Sequence, residues 1–164
     1  GAREQCGRAL VRDRGRALEL NPVAAPSLQR LGDLDLAERK HESALAHYDE
    51  SLQLARAQQG PGSTIGYTLH QRAMALRGLS RFEESVQTAR EALAIRESAH
   101  GPQSIEARYT RAAIVYGLLS LERFEECERE ALELHANCLR EPLPEANFTQ
   151  SVRSALVKLY EAWG

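Results

Sequence analysis

Arg81-Phe82-Glu83-Glu84-Ser85-Val86-Gln87-Thr88-Ala89-Arg90-Glu91-Ala92-Leu93 is the stretch on which the fold turns. Phe82, Ser85, Ala89, Ala92 and Leu93 recur at spacings of three and four, which places them on one face of a helix. The opening Arg81-Phe82-Glu83-Glu84 returns 42 positions later as Arg123-Phe124-Glu125-Glu126. The offset holds in both directions. Gly60-Pro61 returns as Gly101-Pro102 after 41 residues, and Pro102 is followed by Pro144 after 42. Tyr67-Thr68 returns as Tyr109-Thr110, Leu76 as Leu118 and Leu79 as Leu121. Self-similarity at a fixed period of about 40 residues marks stacked supersecondary units.

Each unit divides into two helices. Breakers cluster at Asn21-Pro22 to Pro26, Gly60 to Ser63, Gly101 to Ser104, and Pro142-Leu143-Pro144, and each cluster ends one helix and starts another. The second unit reads as a helix over 64–78 and another over 81–98. Leu69, Ala73 and Leu76 share a face of the first. The small residues let helix backbones approach closely, and Phe82 plugs the gap near the turn, as in antiparallel helices with a short connection. The first unit carries Leu28, Leu31, Gly32 and Leu34, then Ala44, Tyr48, Ser51 and Leu52. The third carries Ile114, Val115 and Leu118, then Phe124, Cys127, Ala131 and Leu134. Strand signatures are nearly absent.

The 164 residues are 43% apolar and 27% charged, with 5% aromatics, which fits one globular domain and excludes collagen-like and disordered classes. A chain this long buries roughly 70% of its unfolded surface, so a true core is expected. The net charge of -2 and pI of about 6.3 argue against nucleic acid and acidic lipid as partners. No apolar run nears the roughly 18 residues of a membrane span, and the N-terminus lacks the apolar segment of a signal peptide. Cys6, Cys127 and Cys138 are an odd set, so reduced thiols in the cytoplasm are expected. Arginine supplies nearly all the positive charge beside Lys40 and Lys158, which reads as a coding bias.

Leu28-x-x-Leu31-Gly32-Asp33-Leu34, followed by Ala44-x-x-x-Tyr48-x-x-Ser51-Leu52, resembles a tetratricopeptide repeat. So does Phe82-Glu83-Glu84-Ser85-x-x-x-Ala89-x-x-Ala92-Leu93. Ala17 to Pro22 is similar to the end of a preceding repeat, and Leu159 to Gly164 to the first helix of a following one. The usual repeat is 34 residues; the spacing here and the Gly-Pro-x-Ser linkers resemble the longer kinesin-light-chain type. Val115, Ser85 and Cys127 depart from the expected small residue or alanine. The tail from Leu156 to Gly164 also resembles the repeats of some bacterial Ser/Thr kinases and related signalling proteins, though no kinase signature is present. The resemblance implies an all-α, right-handed α-α superhelix, a solenoid of antiparallel helix pairs with about eight helices. Residues 1–22 would be the second helix of a preceding repeat, 26–60, 64–101 and 105–141 three repeats, and 145–164 the first helix of another. The chain then reads as a piece of a longer protein without polar caps. Its end helix, bearing Phe148, Val152, Leu156, Leu159 and Trp163, is expected to expose part of an apolar face.

In this family the first helices line an inner groove. The matching positions are Gln29, Arg30 and Asp33; Tyr67, His70, Gln71 and Met74; Tyr109, Ala112 and Tyr116; and Ser151, Ser154 and Lys158. The family's clamp for a terminal carboxylate needs a Lys and Asn set on this face, which Gln29, Asp33, His70 and Met74 do not supply. Tyrosine gives contact area and a hydroxyl handle, and methionine adapts to irregular surfaces, so the lining suits a peptide with apolar anchors. Packing of Tyr67 and Tyr109 against the next unit is the competing reading.

Other features carry less. His135-x-x-Cys138 with Cys127 offers three candidates where zinc needs four ligands, so no metal and no cofactor are expected. His41, His47 and His70 lack partners for acid–base chemistry at any local spacing. Arg96 and His100 lie four apart at a helix end, where the dipole alone favours cations over a nuclease reading. Arg8, Arg12 and Arg16 form a stripe diluted by Glu4, Asp13 and Glu19. Glu122 to Glu133, alternating with Arg123 and Arg129, reads as an exposed, ion-paired face. The sequence therefore points to a non-catalytic, cytoplasmic scaffold, holding a protein or peptide ligand in its groove within a bacterial signalling or regulatory protein. The alternatives are self-association through exposed end helices and, last, a catalytic helical domain.

Overall fold

The computed structural model describes residues 21, 23–141 and 146–164. The expected helix over 1–22, Cys6 and the stripe of Arg8, Arg12 and Arg16 therefore lie outside the described residues, residue 21 excepted. Seven helices fill the described chain: α1 (Ala24–Ala37), α2 (His41–Ala57), α3 (Gly62–Gly78), α4 (Phe82–His100), α5 (Ile105–Ser120), α6 (Phe124–Arg140) and α7 (Ala146–Trp163). No strand occurs among the described residues.

The period seen in the sequence is built into the turns. Arg39, Ser80 and Glu122 each take a left-handed backbone, with φ of 60°, 58° and 56°. Each follows the first helix of a pair. The next residue's N–H reaches back five positions: Lys40 to Asp35 O at 2.8 Å, Arg81 to Leu76 O at 2.9 Å, and Arg123 to Leu118 O at 3.0 Å. This doubly bonded helix end satisfies carbonyls that the helix leaves free and reverses the chain into its partner. Arg81 and Arg123 then grip Glu84 and Glu126 three residues on, at 2.6 and 2.5 Å. These carboxylates sit in the first turn, where the helix dipole also favours negative charge.

Each helix packs on its chain neighbours, and α1, α3 and α5 also contact the next odd-numbered helix. The odd-numbered helices thus line the inner side of a curved array, an all-α helical-repeat solenoid. The even-numbered helices lie outside, tied by exposed pairs such as Arg56–Glu91 at 2.6 Å and Arg90–Glu126 at 2.7 Å. Such exposed pairs add little to stability, because solvent screens them. The core runs between the layers: Ala44, Tyr48, Ala75 and Leu76 at one end, and Val86, Ala89, Ile114, Leu118, Cys127, Ala131 and Leu159 further along.

The departures from the repeat pattern have a shared structural role. The Ser85 hydroxyl donates to Ala73 O at 2.8 Å, and the Cys127 thiol donates to Val115 O at 3.4 Å. Donors and acceptors are each 42 residues apart, so one inter-helix bond is made twice.

Two sequence expectations are corrected. Leu31 and Leu34 are exposed, at 47% and 62%. The inward stripe of α1 is Ala25, Leu28, Gly32 and Leu36, spaced three and four apart, and the two leucines fall off it. In α7, Phe148, Val152, Leu156 and Leu159 are buried rather than exposed, because that stripe packs onto α5 and α6. Trp163 is exposed but stacks on Phe124, with centroids 6.0 Å apart. Val157 and Tyr160 are exposed on this helix as well.

Candidate functional site

The inner face separates into three zones. In the first, α1 and α3 are joined by Asp33. Its carboxylate accepts from the Tyr48 hydroxyl at 2.8 Å, the Tyr67 hydroxyl at 3.1 Å and the Gln71 amide at 3.3 Å. Gln29 Oε1 accepts from the Thr68 hydroxyl at 3.2 Å. Burial, with the Asp33 carboxylate next, pushes the Tyr48 and Tyr67 hydroxyls above the usual tyrosine range. Arg30 is exposed beside this zone. Gln29, Asp33, Tyr67 and Gln71 thus tie α1 and α3 together, with Tyr67 bonded to the preceding helix pair and still partly exposed.

The second zone is a cavity of about 170 Å³ between α3, α5 and α7. It is lined by His70, Met74, Arg77, Tyr109, Ala112, Ala113, Tyr116 and Phe148. Five expected lining residues meet here: His70, Met74, Tyr109, Ala112 and Tyr116. Tyr109 packs edge-on against Phe148 with centroids 4.8 Å apart, and still borders the cavity. The Tyr116 hydroxyl donates to Ser151 O at 3.2 Å, tying α5 to α7. The Arg77 guanidinium lies over the Tyr116 ring, 5.7 Å from its centroid. Burial, then the positive fields of Arg96 and Arg77, push His70 down to about 4, so its imidazole is neutral at pH 7. A second cavity of about 540 Å³ adjoins the first, sharing Met74 and Arg77, and extends to Leu36, Ala37, Arg39, His41 and Gly78.

The third zone is separate. Ser154 and Lys158 line a depression of about 260 Å³ on α7, with Gln150, Arg153, Val157 and Glu161. They do not join the aromatic cavity.

Three cavity residues went unread in the sequence: Arg77, Ala113 and Phe148. His70, Met74 and Arg77 follow one helical stripe at steps of four and three, which is the signal that locates Arg77. Phe148 reads from sequence only as an apolar end-helix residue.

Elsewhere, Arg96 is buried, not a helix-end cation. It donates to Glu106 O at 2.9 Å and Thr110 Oγ1 at 2.7 Å, holding the first turn of α5. The carboxylates between Glu122 and Glu133 are taken up from neighbouring helices: Glu126 by Arg90, and Glu130 and Glu133 by Arg111. Among the described residues no group of three His, Cys, Asp or Glu could hold a metal ion.

A solenoid of paired helices with an aromatic inner face defines the class, and the comparisons give the family. Residues 22–98 match the tetratricopeptide repeat family. A solved TPR-like protein from Chlorobium tepidum TLS superposes with a TM-score of 0.68 at 17% identity, covering 87% of this chain and 96% of that one. No curated protein matches the sequence. Tetratricopeptide repeats are thus supported over residues 22–98, and such repeats generally mediate contacts between proteins.

Proposed function

We propose that the protein is a non-catalytic scaffold that holds a peptide segment of a partner protein in its concave groove, anchored in the cavity between α3, α5 and α7. The observation that carries this is the cavity itself: Met74, Tyr109, Ala112, Tyr116 and Phe148 form an open, largely apolar recess on the inner curve. A recess of about 170 Å³ suits a single side chain, and the cavity of about 540 Å³ beside it leaves room for the residues that flank it. Free, buried Cys127 and Cys138 support a cytoplasmic setting. The likeness of the Leu156 to Gly164 tail to bacterial signalling proteins supports a regulatory one. The test is recovery of a partner from source-cell extract by the intact chain and by Met74→Arg, which fills the cavity. The variant should lose the partner with its circular dichroism unchanged; equal recovery ends the proposal.

A second reading, self-association through α7, is favoured by the exposure of Val157 at 54% and Tyr160 at 48%. Light scattering over a range of concentrations decides it, and a constant monomer mass removes it.

A further inference from the structure

Six arginines among the described residues are partly or fully buried: Arg72, Arg77, Arg96, Arg108, Arg111 and Arg123. Five of them have an oxygen acceptor. Arg72 bonds Asp49 and Thr88, Arg96 bonds Glu106 O and Thr110, Arg108 bonds Glu141 O, Arg111 bonds Glu97 and Glu130, and Arg123 bonds Glu126 and Glu83. Among the described residues Arg77 has neither hydrogen bond nor ion pair, and it lies over the ring of Tyr116. A guanidinium held by a ring rather than by an oxygen keeps its N–H donors for an incoming acceptor. Arg77 lines both cavities. Neither cavity is lined by an Asp or Glu, and the second adds Arg39. A locally cationic recess in a chain of net charge -2 is complementary to a carboxylate.

Resting on the groove reading above, we infer that the partner segment presents a bulky apolar side chain to the aromatic cavity and, beside it, an Asp or Glu whose carboxylate is taken by Arg77. The apolar group displaces water from Met74, Tyr109 and Phe148, and lowers the local dielectric around the guanidinium. A charge-assisted, two-pronged hydrogen bond formed there is stronger than one in open solvent. Arg39, along the second cavity, extends the preference for acidic residues on that side of the anchor.

The test uses a random 12-residue peptide library displayed on phage, selected in parallel on the intact chain, on Arg77→Gln and on Met74→Arg. Peptides enriched on the intact chain should pair Leu, Met or Phe with a neighbouring Asp or Glu. Selection on Arg77→Gln should keep the apolar residue and lose the acidic one. In fluorescence anisotropy the leading peptide should bind Arg77→Gln about tenfold more weakly. Exchanging its acid for the amide should cost the same on the intact chain and nothing further on the variant. Matching thermal melts establish that Arg77→Gln is folded, and Arg77→Met serves if it is not. Apolar peptides without acid preference that Met74→Arg rejects overturn the acidic partner and leave the groove standing. Absence of any peptide enriched over the Met74→Arg background overturns the groove reading and this inference together.

Discussion

The hydroxyl of Tyr67 in α3 lies 3.1 Å from Asp33 Oδ2 in α1, and the opposite oxygen takes the Tyr48 hydroxyl of α2 at 2.8 Å. One carboxylate thus bonds three helices across the boundary between two helix pairs. A solenoid is held by neighbour contacts alone, so such a hub sets how firmly one pair stacks on the next.

Asp33→Ala is expected to destabilise the fold by roughly 2–3 kcal/mol, because it removes three hydrogen bonds and takes away the acceptor of the buried Tyr48 hydroxyl. Asp33→Asn keeps an acceptor and should cost about half as much. Urea unfolding of the three proteins checks the order. Equal stability of Asp33→Ala and the natural chain would remove the hub from the account.

The turns give a gain rather than a loss. Ser80 and Glu122 hold φ of 58° and 56° with side chains that disfavour it. Ser80→Gly and Glu122→Gly should each stabilise the fold by about 0.5–1 kcal/mol, since glycine takes this conformation without a steric penalty. Thermal melts raised by a few degrees are the expected reading. A lowered midpoint for either variant means its side chain contributes more than its backbone strain costs.

Cys127 is the sulfur counterpart of Ser85. Burial, with the nearby Glu130 charge next, pushes its thiol up to about 11. At pH 8 the thiol is protonated and enclosed, so alkylation in the folded protein should be slower than in urea by orders of magnitude. Mass spectrometry of the labelled peptide measures this directly. Rapid labelling without denaturant is incompatible with the Val115 contact described above.

Much of this architecture is written in local spacing. The period, the helix limits and the packed faces of α3 to α6 follow from small residues and Phe82 or Phe124 at steps of three and four, since close helix crossings tolerate little else. The sequence is less informative where two apolar stripes compete on one helix. Leu31 and Leu34 look like core residues until Gly32, pressed against the Tyr48 ring, defines the inward face; a Cβ there would sit 2.6 Å from Tyr48 Cε1. The positions expected to line a groove share helical register, but the spacing does not say which polar groups bond one another. Asp33 and Tyr67 are 34 residues apart, and nothing local in the sequence links them. Arg77 was hidden for a different reason: a cation in a last helical turn is expected from the dipole alone, and only its missing acceptor sets it apart.

His70 makes stability depend on pH. Its folded value is about 4 against 6.5 for an ordinary imidazole, through burial first and then Arg96 from α4 and Arg77 from α3. Between these values the unfolded chain binds a proton that the folded chain does not, so stability rises with pH across that window. On acidification from pH 7 to 4.5 the loss attributable to this residue is about 2 kcal/mol. Exposed carboxylates such as Glu84, held below 4.5 chiefly by its hydrogen bond from Arg81, act in the same direction but only as pH falls below their unfolded range. The difference between the natural chain and His70→Gln therefore isolates the imidazole. Urea midpoints for His70→Gln should change little between pH 7 and 4.5, while those of the natural chain fall. Parallel curves for the two proteins would place the imidazole in water and remove the buried rim from the groove.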